Sequence, residues 1–152
     1  MKIVIGCDNA AVDLKNIIKA ELEKAGIEVD DVGVATAQDD ALYPDVADTL
    51  CKNIIESGYE KEGILICGTG IGMAICANKH PGIYAAVCHD SFSAERARLS
   101  NNANVLCVGA RVIGVELAKK VLKEWLANKY VPGTSSQPKV DAMRNHEKSV
   151  FK

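Results

Sequence analysis

The hydrophobic and polar positions of the chain divide it into short apolar runs separated by longer amphipathic segments. Five runs of mostly branched residues predict buried strands of a parallel sheet. The segments between them carry apolar residues at helical spacing, which predicts helices on both faces of that sheet. The predicted strands are residues 2–7, 27–32, 63–67, 83–88 and 104–108, and the predicted helices are residues 10–25, 43–58, 73–78, 91–100 and 114–129.

This alternation predicts one α/β domain over residues 1–152, a three-layer α/β/α sandwich with a five-stranded parallel Rossmann-like sheet. With the common strand order 2-1-3-4-5, a ligand binds between the first and third strands, where the order reverses. The polar segment from Tyr130 ends in a short predicted helix at 140–148 and has little apolar surface. We therefore expect residues 130–152 to pack on a neighbouring subunit.

Composition excludes several classes of protein. The net charge is −2, with 48% apolar and 25% charged residues, which is typical of a globular protein and not of a nucleic-acid platform. The first residues enter a strand directly, without a signal-peptide pattern, and no apolar run is long enough to cross a membrane. Six cysteines without a C-x-x-C pair argue against disulfides or zinc. We expect a cytoplasmic protein.

The stretch at residues 63–78, GILICGTGIGMAICAN, carries the candidate chemistry. Its strand ends at Cys67, and Gly68, Gly70 and Gly72 follow before a helix begins. Three glycines in five residues allow a tight turn whose N–H groups face inward at a helix N-terminus, where they stabilise an anion. A thiol beside such a loop is stabilised as thiolate. The stretch therefore predicts a nucleophile or base next to an anion hole.

Other interpretations of these residues stay open at this point. A cysteine at a strand end is often simple core packing, which is also the simplest interpretation of the remaining cysteines. The glycines could form an ordinary turn or a dinucleotide-binding loop, with Asp90 as the ribose-binding acid. The spacing G-x-G-x-G differs from G-x-G-x-x-G, and it follows the third strand and not the first. His89, after the fourth strand, could touch a substrate or lie in a solvated loop.

Several motifs along the chain together carry a resemblance to a known family. They are GCD at 6–8, YPD at 43–45, ICGTGIGM at 66–73, ANK at 77–79, PGI at 81–83, NNANVL at 101–106 and GARVIG at 109–114. In this order they resemble the ribose-5-phosphate isomerase B / galactose-6-phosphate isomerase family over nearly the whole chain. The resemblance implies an isomerase that interconverts aldose and ketose phosphates through an enediolate, without metal or cofactor.

The resemblance also implies roles for particular residues. Cys67 resembles the base that moves a proton between C1 and C2, because Ile71 offers no carboxylate where other members place a glutamate. Family members are dimers or tetramers with sites shared between subunits, so a homodimer or homotetramer is expected. The remaining roles are proton handling by Thr69, stabilisation of the enediolate oxygen by the Gly68–Gly72 backbone (with Gly70), hydroxyl binding by Asp8, Tyr43 and Asn101, and phosphate binding by Arg111.

The chain departs from the family pattern at two positions that concern the substrate. Members acting on ring-forming sugars have histidine where this chain has Asn9 and Ser100, and the second histidine opens the sugar ring. A serine cannot act as an acid or base near neutral pH. The usual phosphate-binding arginines of the tail are replaced by hydroxyl residues at 134–136 and by Lys139, which keeps a charge without the fork geometry.

A four-carbon 4-phosphate explains the missing histidine, because its blocked C4 oxygen cannot close a furanose ring. Residues 89–104, HDSFSAERARLSNNAN, also resemble the branch of the family that acts on tetrulose 4-phosphates. Ribose 5-phosphate remains the other candidate substrate. The alternatives of a different class are a galactose-6-phosphate isomerase-type subunit and a non-catalytic module that binds a sugar phosphate or nucleotide. The presence of Cys67 and of the whole glycine loop favours an active enzyme.

Overall fold

The structure, a computed structural model, describes residues 1–151 of the chain. It consists of five strands and six helices that alternate from the first strand to the fifth helix. The strands are β1 (Lys2–Cys7), β2 (Glu28–Asp31), β3 (Glu62–Cys67), β4 (Ala85–Val87) and β5 (Val105–Gly109). The helices are α1 (Val12–Lys24), α2 (Tyr43–Glu56), α3 (Ile71–Ala77), α4 (Ser91–Leu99), α5 (Val115–Ala127) and α6 (Gln137–Val150).

The five strands form one parallel sheet in the order β2-β1-β3-β5-β4. The predicted parallel sheet and the β1/β3 neighbourhood are confirmed, but the predicted order of the last two strands is wrong. All five residues of β5 are buried, whereas the three residues of β4 are only half-buried. The more apolar strand therefore occupies the interior of the sheet, and the short one forms its edge.

Helices cover both faces of the sheet and complete the predicted three layers. Helices α2 and α3 pack together on one face, while α1, α4 and α5 pack on the other. The core between them contains the apolar side of each helix, and Trp125 of α5 is fully buried there. No helix within residues 1–151 has both the length and the apolar content to cross a membrane.

Most element boundaries differ from the prediction by one to three residues, and two of these differences have a local backbone reason. Helix α3 begins at Ile71, two residues earlier than predicted, because Gly70 turns the chain into it with a left-handed φ of +79°. Helix α6 spans Gln137–Val150 and is longer than the predicted 140–148. Pro138 lies in its first turn, where its fixed φ suits a helix start and its missing N–H leaves no bond unmade.

Helix α6 contacts its own chain at the β4 edge, mainly through polar groups. The carboxylate of Glu147 accepts hydrogen bonds from the Gly82 N–H, at 2.5 Å, and from the Tyr84 hydroxyl. Arg144 lies over the Tyr84 ring at 5.5 Å, and Val140 is buried. Most other residues of α6 are exposed. The expectation that this segment also packs on a neighbouring subunit stays a prediction.

Candidate active site

The ends of three neighbouring strands form the candidate site at the carboxyl edge of the sheet. Cys7 of β1 is paired in register with Ile66 of β3, and the next N–H, that of Asp8, donates to the Ile66 carbonyl at 3.4 Å. Cys67 is paired with Gly109 of β5. The segments that follow β1, β3 and β5 therefore leave the sheet side by side, as expected for a ligand crevice at the topological switch point.

Cys67 differs from the other buried cysteines in its hydrogen bonding. Its Sγ accepts a hydrogen bond from the Gly70 N–H at 3.1 Å, and the side chain is 5% exposed. At Cys7, Cys51 and Cys88 the sulfur instead donates to a main-chain carbonyl. Burial also raises the pKa of the Cys7 and Cys88 thiols to about 11 and that of Cys51 to about 12. The cysteine suited to chemistry is therefore Cys67.

Two glycines at this edge allow close approaches that no other residue would permit. A Cβ on Gly72 would overlap the Tyr43 ring, lying 2.6 Å from its Cζ, so Tyr43 packs directly on the loop. A Cβ on Gly109 would lie 2.6 Å from the main-chain carbon of Thr69. Real Cβ contacts are never that short. The glycines therefore leave room for the Tyr43 ring against the loop that follows Cys67, and for the Thr69 main chain against the end of β5.

Thr69, Ile71 and Arg111 form the exposed rim of the loop. The Thr69 hydroxyl is exposed and accepts a hydrogen bond from the Ile71 N–H at 3.3 Å. The Arg111 N–H donates to the Gly68 carbonyl at 3.0 Å, and a Cβ on Gly68 would lie 3.5 Å from Arg111 Cδ. The Arg111 side chain therefore lies against the glycine loop, with its positive charge beside the N–H groups.

Asp8 and Asn9 lie at the end of β1, facing the same edge. The Asp8 carboxylate accepts a hydrogen bond from the Ala10 N–H at 3.0 Å. The Asn9 amide donates to the Asp39 carbonyl at 3.1 Å and so holds the connection between β2 and α2. Asn9 is thus engaged in a structural contact, while Asp8 keeps acceptor capacity for a substrate hydroxyl.

His89 and Asp90 follow β4 at this edge, and both make contacts within the fold. The His89 Nε2 accepts a hydrogen bond from the Gly109 N–H at 2.9 Å, and burial lowers the pKa of this imidazole. Neutral His89 therefore supports Gly109, which contacts Thr69. The Asp90 carboxylate caps α4 through the Ser93 N–H at 2.7 Å. This cap leaves little reason to assign Asp90 to a dinucleotide ribose.

Ser100, Asn101 and Lys139 lie at the opposite edge of the sheet. They line a cavity of about 220 Å³ together with Ser136 and two apolar residues of α6. The Ser100 hydroxyl accepts two hydrogen bonds from Arg96, which lies one helical turn earlier, the bond from Nε being 2.9 Å long. The tail thus brings Lys139 close to Ser100 and Asn101 of its own chain.

The two groups of predicted site residues are separated within one chain. Helix α4 starts at the carboxyl edge and crosses the sheet for nine residues, about 14 Å, before Ser100. Asn104, close beyond it, binds the amino ends of β3 and β4 through the Gly63 and Tyr84 N–H groups. The structure therefore brings Asp8, Tyr43, Arg111 and the glycine loop to Cys67, but leaves Ser100, Asn101 and Lys139 at the other edge.

A further cavity, of about 550 Å³, also lies at the amino edge and away from Cys67. Its most buried charge, Arg98, is committed to the fold: the guanidinium donates to the Ala103 and Asn128 carbonyls and pairs with Glu62 at 2.6 Å. It also lies over the Trp125 ring at 4.5 Å. Residues 1–151 contain no group of three or more His, Cys, Asp or Glu side chains that could hold a metal ion.

Two residues of these regions escaped the sequence analysis. Gly109 appeared only within a family motif, although its position directly after a buried strand is where a close approach to Thr69 was possible. Arg96 was not singled out at all. Its signal was the four-residue spacing to Ser100, which places both side chains on one face of α4.

Comparison with known proteins agrees with this arrangement. The family model described as Ribose/Galactose Isomerase matches residues 3–143. The chain belongs to the ribose/galactose isomerase family. The predictions of family, of a Rossmann-like α/β fold and of a sugar-phosphate aldose–ketose isomerase are thereby confirmed.

Relatives of the chain include proteins named as erythrulose-4-phosphate isomerases and as ribose-5-phosphate isomerases. The chain is 50% identical over 147 residues to D-erythrulose-4-phosphate isomerase of Pectobacterium atrosepticum, covering 97% of this chain and 95% of the relative. It is 42% identical to ribose-5-phosphate isomerase B of Escherichia coli, covering 90% of each chain. The solved ribose-5-phosphate isomerase B of Clostridium thermocellum superposes with a TM-score of 0.92 at 38% identity, covering 99% of each chain.

Proposed function

We propose that the substrate of this isomerase is a four-carbon sugar 4-phosphate, interconverted between D-erythrulose 4-phosphate and its aldose. The observation that carries the proposal is the side chain at position 100. It is a serine whose hydroxyl is tied to Arg96, and it offers no group that gains or loses a proton near neutral pH, as general acid–base opening of a ring requires. An enzyme for cyclic sugars needs an acid or base to open the ring, whereas a tetrose 4-phosphate has no free C4 hydroxyl for closing one.

Two further observations support this substrate. Asn9 stands at the other position where family members for ring-forming sugars have histidine, and its amide is engaged with Asp39. The relative with 50% identity over 97% of this chain is named for D-erythrulose 4-phosphate. Relatives named ribose-5-phosphate isomerase B match at 48% and 42% identity, so the identities alone do not separate the two substrates and the side chain at position 100 carries the distinction.

The reaction needs one base and a stabilised enediolate, and we assign the base to Cys67. Its thiolate removes a proton from C1 of the ketose, which leaves an enediolate across C1 and C2, and returns the proton to C2. The N–H groups of residues 68–72 stabilise the negative oxygen. The hydroxyl proton moves from O1 to O2, and we assign its relay to Thr69, whose exposed hydroxyl beside the loop accepts one proton as it donates its own and so is not left charged. No atoms are gained or lost.

We propose that each site is shared by two copies of the chain in a homodimer or homotetramer. Cys67 lies at the carboxyl edge, whereas Ser100, Asn101 and Lys139 lie about the length of α4 away. A side chain cannot reach across that distance, so a second copy must supply the amino-edge residues. An isologous two-fold contact would create two identical sites per dimer.

The experiment that tests this proposal is a panel of sugar phosphates with the purified protein alone. We expect isomerisation of D-erythrulose 4-phosphate with a kcat/KM above those for ribose 5-phosphate and galactose 6-phosphate. A preference of tenfold or more for ribose 5-phosphate would replace the proposal with a ribose-5-phosphate isomerase. Inactivity on every substrate would favour a subunit that needs a different partner chain, or a binding module.

A further inference from the structure

Arg96 holds a charge that no carboxylate of residues 1–151 neutralises. Its Nε and Nη2 both donate to the Ser100 hydroxyl. A guanidinium has five N–H donors in a fork that fits two oxygens of a phosphate, so one neutral hydroxyl satisfies it only in part. Within residues 1–151, no carboxylate pairs with it at 4.0 Å or less. Arg96 therefore retains donors and charge for a ligand.

Arg98, two residues later on α4, differs from Arg96 because its hydrogen bonds and its charge are satisfied within the fold. Arg98 is 5% exposed, and its guanidinium is bonded to Glu62 and to two carbonyls. That arginine is a structural residue. Arg96 is only half-buried and projects from the same helix toward Ser100, where the cavity shared with Lys139 begins. Lys139 thus lines a small cavity whose other polar residues carry hydroxyl and amide groups, and Arg96 is joined to that lining through its hydrogen bonds to Ser100.

The chemistry of the substrate indicates which anion would bind beside Arg96 and Ser100. The resemblance assigns position 100 to the group that acts on the ring oxygen of a pentose, which is O4 in a furanose. In a four-carbon 4-phosphate, O4 carries the phosphorus atom. The residue next to position 100 then faces phosphoryl oxygens and has no ring to open. An arginine guanidinium at this position can donate two hydrogen bonds to the phosphate, which suits this substrate better than a ring-opening histidine.

We infer that Arg96, together with Ser100, binds the phosphate of a four-carbon sugar 4-phosphate and selects that chain length. The inference rests on the proposed function and names the residue that makes it specific. A five-carbon 5-phosphate places its phosphate one carbon farther from the C1–C2 unit held at Cys67. It would present a free C4 hydroxyl to Arg96, a neutral group that gains much less from a guanidinium. Lys139 supplies the second charge in either case.

The test uses stable acids in place of the sugars, because their binding does not depend on turnover. We would measure binding of 4-phosphoerythronate and of 5-phosphoribonate by calorimetry to the wild type and to Arg96→Ala, Arg96→Lys and Arg144→Ala. Arg96→Ala is expected to weaken 4-phosphoerythronate about 10- to 100-fold, the value of a charge-assisted hydrogen bond, and 5-phosphoribonate by less than about threefold. Arg96→Lys should recover part of the loss, since it restores charge without the fork.

Arg144→Ala is the matched control, because it removes another arginine whose guanidinium contacts the Tyr84 ring away from the proposed site. It should change neither affinity. Equal binding of 4-phosphoerythronate by the wild type and Arg96→Ala, equal losses for both acids, or no binding of 4-phosphoerythronate by the wild type would each overturn the inference. Arg96-dependent binding without turnover of any tetrose phosphate would leave it standing while the proposed function failed.

Discussion

The two edges of the sheet contribute different kinds of parts to the proposed site. The carboxyl edge contributes mainly backbone groups. Its glycines allow Tyr43 and Thr69 to approach closely, and the Gly70 N–H donates to the Cys67 sulfur. The amino edge contributes side chains on two helices, namely Arg96, Ser100 and Lys139. The backbone N–H groups of residues 68–72 can stabilise an enediolate formed from any sugar, whereas side chains can differ between enzymes that act on different substrates. In the proposed enzyme, the carboxyl edge therefore serves the chemistry and the amino edge serves the choice of substrate.

The largest expected effect is loss of the carboxyl-edge base. Cys67→Ser should abolish isomerisation of D-erythrulose 4-phosphate, because a serine hydroxyl is far too weak an acid to supply the base. The near-isosteric change should leave folding and assembly intact, as measured by thermal unfolding and light scattering. Retention of a tenth of wild-type turnover would remove Cys67 from the role of base.

A smaller loss is expected where the glycine loop packs against Tyr43, which we propose binds a substrate hydroxyl. Gly72→Ala places a Cβ where the Tyr43 ring lies, so the ring must move. We expect a rise in KM of about tenfold, corresponding to one lost hydrogen bond, with a smaller change in kcat. Gly26→Ser is a suitable control at a glycine that has open space around it, although its own left-handed φ of +78° will lower stability. An unchanged KM in Gly72→Ala would show that Tyr43 does not contribute to substrate binding.

The amino edge can be tested by restoring the missing histidine. Ser100→His should raise kcat/KM for ribose 5-phosphate relative to D-erythrulose 4-phosphate. The gain should stay below about 10²-fold, because Asn9 still lacks an acid–base group. The gain is measured by assaying ribose 5-phosphate and D-erythrulose 4-phosphate with the wild type and with Ser100→His. If the ratio of the two kcat/KM values does not move, the side chain at position 100 does not decide between cyclic and open-chain substrates.

The smallest effect concerns the pH dependence of stability through His89. Burial lowers its pKa below the ordinary 6.5, so the folded protein binds this proton less readily than the unfolded chain. The contribution of neutral His89 is fully present above pH 6.5 and is lost as pH falls from there through the folded-state pKa. The Tm should therefore fall less between pH 7 and pH 5.5 in His89→Gln than in the wild type. Equal falls in Tm over this pH range for the wild type and His89→Gln would contradict this role of His89.

The carboxyl edge could be predicted from sequence because its parts follow strand ends directly. Cys67 and its glycines are contiguous, and parallel strands bring Asp8 to the same edge. The strand order could not be predicted, because β4 and β5 are both short apolar runs whose burial differs only in the folded sheet. The contact between Arg96 and Ser100 also depends on side-chain direction, which spacing permits but does not specify.

The central claim, that the two edges meet between copies of the chain, is tested most directly by mixing inactive variants. Cys67→Ser removes the base, and Asn101→Trp blocks the amino-edge half at an exposed position. Unfolding and refolding them together forms mixed dimers in which one of two sites has both intact halves. At equal amounts, random pairing should restore about a quarter of wild-type activity on D-erythrulose 4-phosphate. If the mixture stays as inactive as its two components, the sites are not shared between subunits.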